Sequence, residues 1–541
     1  MKFPLITIYD DFCYGARMLA SFLRQHGHDV FLIHFKSFQS LFVSRSDHEG
    51  NMLARSSPAQ SIEEVHFGGV KYCPYPTPVS DTERRLLVER LQQIQPAFIG
   101  FSVSTMASPV ARDLTRLLKI HFPETKIIWG GIHPTTSPEE CVECADIICI
   151  GEGENAILDL LNQPDSREIM NCWFKHPSGE IIKNPMRPLI DDLDSLPFAS
   201  YGVQEELIDN DKIDQITLKT HNHLASRVVI STQRGCPFLC TYCMHHVVRK
   251  LYMGQRYVRR RSVDNVLREV AFRLKQFPLP AISFWDDVFL IDDQWIDEFC
   301  EKYPRRIGMP FGGYSYPTVT NENMIKKLQK AGMAFLSLGI QTGSDYIGRK
   351  VYHRNYSADK IVELAQWGEK YGLQLAYDLL SNNPFERKED CVETLKMLLA
   401  MPKPEVLAVK KIRLFKHTEI SRLDLPKGNL TDADFDFWNS LYLLTRDRKI
   451  SPESILRLAE NKELEANPHI LVEVSDAVGT TVDENKWLNY EIYRLQTDAT
   501  FSGLSRYMKR YLARHIPAPF YRALKHIYSL LGKKTCRRFP A

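Results

Sequence analysis

Two separate series of short apolar runs alternating with helix-patterned stretches narrow the choice of folds more than any other feature of this chain. In the first, FPLITIY (3–9), VFLIHF (30–35), AFIGFSVS (97–104), KIIWGG (126–131) and DIICIG (146–151) read as strands. Residues 15–26, 81–94, 109–121 and 138–144 read as helices, and Gly27 closes the first of them. This alternation predicts a doubly wound parallel α/β sheet over residues 1–165, with the polar stretch 40–80 as a long excursion. The second series has strands at 227–233, 281–287, 310–316, 335–343, 373–381 and 406–415. Helices fill the gaps at 263–276, 293–302, 321–331, 357–371 and 388–400. Six strand–helix units are two short of a closed eight-stranded barrel, so residues 223–430 predict a partial (β/α)6 barrel. Residues 166–222 hold several prolines and the acidic turn IDDLDSLP (190–197), and read as a surface linker. Residues 431–541 read as a mainly helical C-terminal region.

No apolar run approaches the ~18–20 residues that a membrane helix needs. The start, MKFPLITIYDDF, turns acidic at Asp10 and Asp11, too soon for an export signal. The expected compartment is therefore cytoplasmic, where the 12 cysteines read as metal ligands or core thiols rather than disulfides. A net charge of +3 selects no partner class, and no nucleic acid is expected.

Cys236, Cys240 and Cys243 form a C-x3-C-x2-C pattern directly after the first strand of the second series. An α/β barrel places its chemistry at the C-terminal ends of its strands. Thiolates suit iron–sulfur clusters, and three ligands on a 4Fe–4S cluster leave one iron open for a substrate. The competing reading is a structural zinc site completed by His245 or His246. The position after a strand, Gly235 ahead of the motif and Tyr242 inside it favour the cluster. The other cysteines are scattered, and Cys141-x2-Cys144 in a predicted helix reads as incidental.

With these residues in view, 227–415 resembles the radical S-adenosylmethionine superfamily. The resemblance implies a 4Fe–4S cluster that cleaves S-adenosylmethionine to a 5′-deoxyadenosyl radical. ISFWDDVFLIDDQWIDEFC (282–300) resembles the second strand of these enzymes, which places Asp286 and Asp287 near the methionine amino group. GIQTGSDYIGRKVYHR (339–354) is similar to a G-I-E-S-G-S segment, with Gln341 and Thr342 for the usual Glu and Ser, and implies Gln341 and Ser344 in cofactor binding. LAYDLLSNNPFE (375–386) carries Asn382 and Asn383 where glycines usually approach the adenine. FKHTEI (415–420) departs from the commoner P-G-T.

The first domain carries Asp10-x-Phe12-x-x-Gly15, Ser102-x-Ser104-Thr105, Gly130-Gly131 and Gly151-Glu152 in the loops after its strands. Ligands of doubly wound sheets bind beyond those strand ends. The loops resemble a cobalamin-binding domain of the D-x-H-x-x-G, S-x-L, G-G kind. GGIHPTTSPEECVECADIICIGEGE (130–154) and RPLIDDLDSLPF (187–198) resemble the form joined to radical S-adenosylmethionine barrels. The bland reading is a flavodoxin-like domain with another ligand or none. The resemblance implies cobalamin contacts at Asp10, Gly15, Ser102, Ser104, Thr105, Gly130, Gly131, His133, Gly151 and Glu152. Phe12 replaces the histidine that ligates cobalt in related domains, so the resemblance implies that the lower face of cobalt is unligated from this position; His133 is expected to touch the cobalamin tail or the loop structure.

The expected activity is a methyltransferase acting on an unactivated carbon through a 5′-deoxyadenosyl radical and methylcobalamin. A cobalamin-assisted oxidative cyclase or rearrangement enzyme is the first alternative, and a non-catalytic cobalamin and iron–sulfur sensor the second. The reading implies a small-molecule or lipid substrate and an external electron donor such as flavodoxin or ferredoxin. Residues 499–541 lack Asp and Glu and carry ten Lys and Arg. They read as a solvated helical face on the barrel, with peripheral contact to an anionic membrane as the second reading.

Overall fold

The computed structural model describes residues 1–37, 77–176, 178–218, 229–276, 279, 281–446 and 450–466, and the backbone of three short strands between 43 and 73. Its strands in chain order are β1 (Lys2–Ile8), β2 (Asp29–Phe35), β3 (Val43–Ser44), β4 (Val65–Phe67), β5 (Val70–Cys73), β6 (Phe98–Ser102), β7 (Lys126–Gly130), β8 (Ile147–Cys149), β9 (Cys172–Lys175) and β10 (Ile181–Lys183). There follow β11 (Glu205–Asp209), β12 (Lys212–Ile216), β13 (Gln233–Arg234), β14 (Arg259–Arg260), β15 (Ile282–Ser283), β16 (Phe311–Ser315), β17 (Met333–Gln341), β18 (Gln374–Ser381) and β19 (Val406–Lys411).

The first sheet runs β10-β9-β8-β7-β6-β1-β2-β11-β12. Its central strands, β8 through β11 in that order, are parallel, and the outer pairs are antiparallel hairpins. Side chains alternate across β1: Phe3 and Leu5 enter one apolar core, Ile6 and Ile8 the other. Helix Asp81–Ile94 starts where the sequence signals it, at Ser80, whose hydroxyl accepts from the Glu83 amide while the Glu83 carboxylate accepts from Ser80. The segment expected to be a linker does more than cross the surface. It supplies β9 to β12, two strands at each edge of this sheet. Its prolines and lack of long periodicity hid strands of only three to five residues.

The second sheet runs β15-β16-β17-β18-β19, all parallel, and continues into β4-β5-β3 by antiparallel pairing of β19 with β4. The polar excursion of the first series thus adds strands to the edge of the barrel sheet. Ile230 forms a parallel bridge to Phe284 and brings the sixth strand position beside β15. Helices follow the later strands, each with its own start signal: Asp292 caps Asp293–Arg306, and Asn321 caps Glu322–Ala331, which Gly332 ends in a left-handed turn (φ +114°). Helices Asp432–Leu444, Pro452–Ala459 and Lys462–Ala466 form the described part of the C-terminal region. The basic stretch 499–541 lies outside the described residues.

One apolar core is continuous across the two sheets. It runs from Phe3 and Leu23 through Tyr201, Ile230 and Phe284 to Trp438. Tyr201 lies between the guanidinium of Arg17 from the first unit (4.6 Å) and that of Arg273 from the second (4.7 Å). This burial sets how the two sheets face one another. No helix among the described residues is long and apolar enough to cross a membrane.

Candidate active site at the facing strand ends

The cysteine loop leaves the barrel through β13, which pairs with β14 as a two-stranded ribbon. Gly235 follows with φ +90°, and a Cβ there would lie 2.4 Å from the Tyr257 carbonyl oxygen, so only glycine fits. Cys240 is buried beside Val288 and Tyr316; Cys236, Cys243 and Phe238 pack against the same small cluster. Phe238 stacks on Tyr316 with ring centroids 3.5 Å apart. Burial pushes the thiol of Cys236 up to about 12 and that of Cys243 to about 11. Such thiols ionise only against added positive charge.

Three thiols in one apolar pocket offer the type of donor set that an iron–sulfur cluster takes. The zinc reading fails on its remaining ligands. His245 is held between Asp287 (2.9 Å) and the Tyr257 hydroxyl (2.8 Å), and His246 pairs with Glu419 (2.5 Å). Among the described residues no three His, Cys, Asp or Glu side chains converge as ligands of one ion would. Thiolates bound to three different irons need no such convergence.

Across from this loop stand the strand ends of the first sheet. Gly130 and Gly131 end β7. Gly131 has φ +94°, and a Cβ there would sit 3.1 Å from both N and O of Val103. Ser102 lies 3.7 Å from the Cys13 thiol, Ser104 accepts from the Ala107 amide at 3.3 Å, and Thr105 is half-buried beside it. Asp10 accepts from the Phe12 amide (3.2 Å), and burial holds its carboxyl above the usual range. Gly15 opens helix Tyr14–Gln25 on an exposed face. His133 is 3% exposed, and neither ring nitrogen has a partner among the described residues. An imidazole buried without a hydrogen bond is costly, so its surroundings suit a further polar group.

Two contacts join these loops to the barrel. The ring of Phe12 stacks on Trp285 at the end of β15, with centroids 6.5 Å apart and planes 13° from parallel. Glu152, after β8, meets Arg234 at 3.0 Å and Arg259 at 2.8 Å. The C-terminal ends of the strands in both sheets therefore open toward each other.

Comparison with known proteins agrees with both halves. Residues 51–161 match the B12 binding domain family, and residues 230–398 match the radical SAM superfamily. The chain carries both the B12 binding domain and the radical SAM domain of the cobalamin-binding radical S-adenosylmethionine enzymes. It is 25% identical over 319 residues to an uncharacterized methyltransferase of Pyrococcus horikoshii, covering 57% of this chain and 64% of that protein. It is 27% identical over 270 residues to the anaerobic magnesium-protoporphyrin IX monomethyl ester cyclase of Rubrivivax gelatinosus, covering 47% and 46%. The matched region is thus less than two thirds of either relative. The fold is shared with the methyltransferase TsrM of Kitasatospora setae (TM-score 0.58, 14% identity, 77% of this chain and 76% of that one). It is also shared with OxsB (TM-score 0.58, 15% identity, 98% and 81%).

Within this cobalamin-binding radical S-adenosylmethionine protein the remaining expected site residues divide into two groups. Asp287 is exposed toward the cysteine loop, and Gln341 sits at a bulge in β17 with φ +64°. Both are accessible to a cofactor. Asp286 is 3% exposed, and its carboxylate already accepts from the Ser231 hydroxyl (2.9 Å), the Thr232 amide and hydroxyl (2.6 Å each) and the Gln233 amide (3.1 Å). It fastens the end of the first barrel strand. Ser344 is likewise committed, donating to Asp390 at 2.6 Å, and Thr342 lies 3.3 Å from Thr394. Asn382 (φ +56°) accepts from Asn439 of the C-terminal region at 3.3 Å; Asn383 is fully buried, and its side-chain nitrogen has no partner among the described residues.

Three residues absent from the sequence expectations line the site or brace it from outside. Arg354, 4% exposed, donates to the Tyr242 hydroxyl (2.9 Å) and the Gly339 carbonyl (2.5 Å), also meets Tyr356, and lies 3.8 Å from the Cys240 sulfur. Its signal was an arginine closing the quoted 339–354 segment. Trp285 was visible as an aromatic at a strand end, and Arg234 as a cation two positions before the first cysteine.

Proposed function

We propose that this protein is a cobalamin-dependent radical S-adenosylmethionine methyltransferase that methylates an unactivated carbon of a small-molecule substrate. The observation that carries the reading is the stacking of Phe12 on Trp285, which puts the loops of a B12-type domain over the mouth that holds the three cysteines. When bound, the cluster supplies the electron that cleaves S-adenosylmethionine, and the corrinoid supplies a methyl carrier.

In this reading Cys236, Cys240 and Cys243 hold the cluster. Arg354 places a fixed positive charge 3.8 Å from the Cys240 sulfur. Asp287 and Gln341 face S-adenosylmethionine. The loops at Asp10–Gly15, Ser102–Thr105 and Gly130–His133 receive the corrinoid. The B12-type loops over the mouth would help to keep water from a carbon radical. An external reductant supplies the electrons.

A second reading follows from the cyclase relatives: radical chemistry at the same mouth without methyl transfer. Methyl-labelled S-adenosylmethionine and a chemical reductant separate the two. Label on the corrinoid together with 5′-deoxyadenosine is the expected result. Deoxyadenosine with no label on the corrinoid selects the second reading. Neither product from a reconstituted protein refutes both.

A further inference from the structure

Resting on that reading, we infer that Glu152 is not a cobalamin contact but the centre of a clasp that positions the cluster-bearing loop against the corrinoid-binding unit. The argument begins in the β13–β14 ribbon, where Arg234 pairs directly with Arg259. Like charges directly opposite each other on adjacent strands repel. The ribbon holds them because a carboxylate from the other unit bridges the pair. Oε1 of Glu152 accepts from Arg234 Nη1 at 3.0 Å and from Arg259 Nη2 at 2.8 Å. Glu154 takes the second nitrogen of Arg234 at 2.5 Å. The other oxygen of Glu152 accepts from the Ile190 amide at 2.9 Å, so both oxygens are already engaged by protein donors. Burial pushes the Glu152 carboxyl up, and Arg259 and Arg234 more than reverse it, holding it below the usual range.

Both ends of the clasp are rigid. The Asn171 side chain donates to the Glu152 carbonyl at 2.9 Å, and the Tyr252 hydroxyl accepts from the Glu152 amide at 3.3 Å. A Cβ on Gly151 (φ +76°) would fall 1.8 Å from that hydroxyl, so glycine here serves contact with the barrel. At the far end a single residue, the sterically locked Gly235, separates Arg234 from Cys236. A shift of Glu152 therefore passes to the first cluster ligand. Glu152 is a positioning residue: it fixes how the radical-generating centre stands to the methyl carrier.

The test uses the full chain in two states. In cofactor-free protein, Glu152→Gln should raise hydrogen exchange in residues 150–156 and 233–240 together. In protein loaded with cobalamin and cluster, given labelled S-adenosylmethionine and reductant, cobalamin absorbance and the cluster's paramagnetic signal should be retained. Deoxyadenosine should stay within about twofold, while label on the corrinoid falls about tenfold or more. Arg234→Gln should behave alike, and the double variant should lose no more than either single one, as members of one unit do. Three results overturn the clasp: cobalamin lost from Glu152→Gln with residues 233–240 unchanged in exchange, label transfer unaffected, or strictly additive losses. If Glu152→Gln does not fold, Glu154→Gln is subject to the same expectations and the same refutations. Wild-type protein that yields neither product refutes the functional reading alone, and hydrogen exchange still decides the clasp.

Discussion

Charge is buried in two different ways in this molecule. At the edge of the first sheet every such charge is paired. Glu205 bridges Arg17 and His34, and Lys36 meets Glu83 (2.7 Å) and Asp209 (2.9 Å). At the barrel mouth Arg354 is equally buried, yet no carboxylate among the described residues pairs with it; three tyrosines and a thiol surround it. Its hydrogen bonds are satisfied but its charge is not. Desolvating an ion without a counter-ion is tolerated where a ligand later supplies the charge. The first arrangement holds a fold together, and the second leaves a buried charge beside the cysteines.

The largest expected effect breaks the mouth itself. Cys240→Ala should abolish cluster absorbance and deoxyadenosine formation while cobalamin still binds. Deoxyadenosine formation that survives would refute the cluster assignment. Next comes Arg354→Met. Deoxyadenosine formation should fall about hundredfold, roughly 2.7 kcal/mol of barrier. Urea unfolding of the cofactor-free protein should change by less than about 2 kcal/mol, since the variant removes an uncompensated charge along with its hydrogen bonds. A large stability loss with activity retained would make Arg354 structural and erase the contrast.

Glu205 should behave in the opposite way. Its carboxyl is pulled down to about 2, because Arg17 and His34 outweigh burial. A depressed acid contributes stability above its unfolded value near 4.5 and loses it as pH falls from there toward 2. Glu205→Gln should therefore cost about 3 kcal/mol at neutral pH, flatten the acid limb of the stability profile between about pH 4.5 and pH 2, and leave deoxyadenosine formation near wild type. A variant with an unchanged acid limb would show that the pair is worth little.

This contrast also explains what could be read in the chain beforehand. The cysteine triad, Gly131 and the helix at 81–94 were legible because each depends on neighbours a few residues away: a spacing, a left-handed turn, a capping box. Arg234, Arg259 and Glu152 were not, since their meaning lies in a contact between residues about eighty positions apart or more. Glu152 and Asp286 show the converse error. Each has the right chemistry in the right loop, and only the fold shows their oxygens already engaged by protein donors. The strands β9 to β12 escaped for another reason: at three to five residues they carry too little periodicity to separate from a linker.

The smallest expected effect tests the stacking of Phe12 on Trp285 between the two facing mouths. Phe12 is 7% exposed and Trp285 39%, so their stacking is only half desolvated. Aromatic pairs contribute about 0.5–1.5 kcal/mol beyond area burial, and the lower end applies here. A double-mutant cycle of Phe12→Leu and Trp285→Leu, read by urea unfolding, should give a coupling of about 0.5 kcal/mol. The ionic clasp at Glu152 and the shared core around Tyr201 would still hold the two units together, so cluster and cobalamin should both bind in the double variant. A coupling above about 2 kcal/mol would mean that this contact, rather than the clasp, sets the spacing of the two mouths. Zero coupling would leave that spacing to charge and the shared core, and Phe12 would then matter only as a residue that cannot ligate a metal.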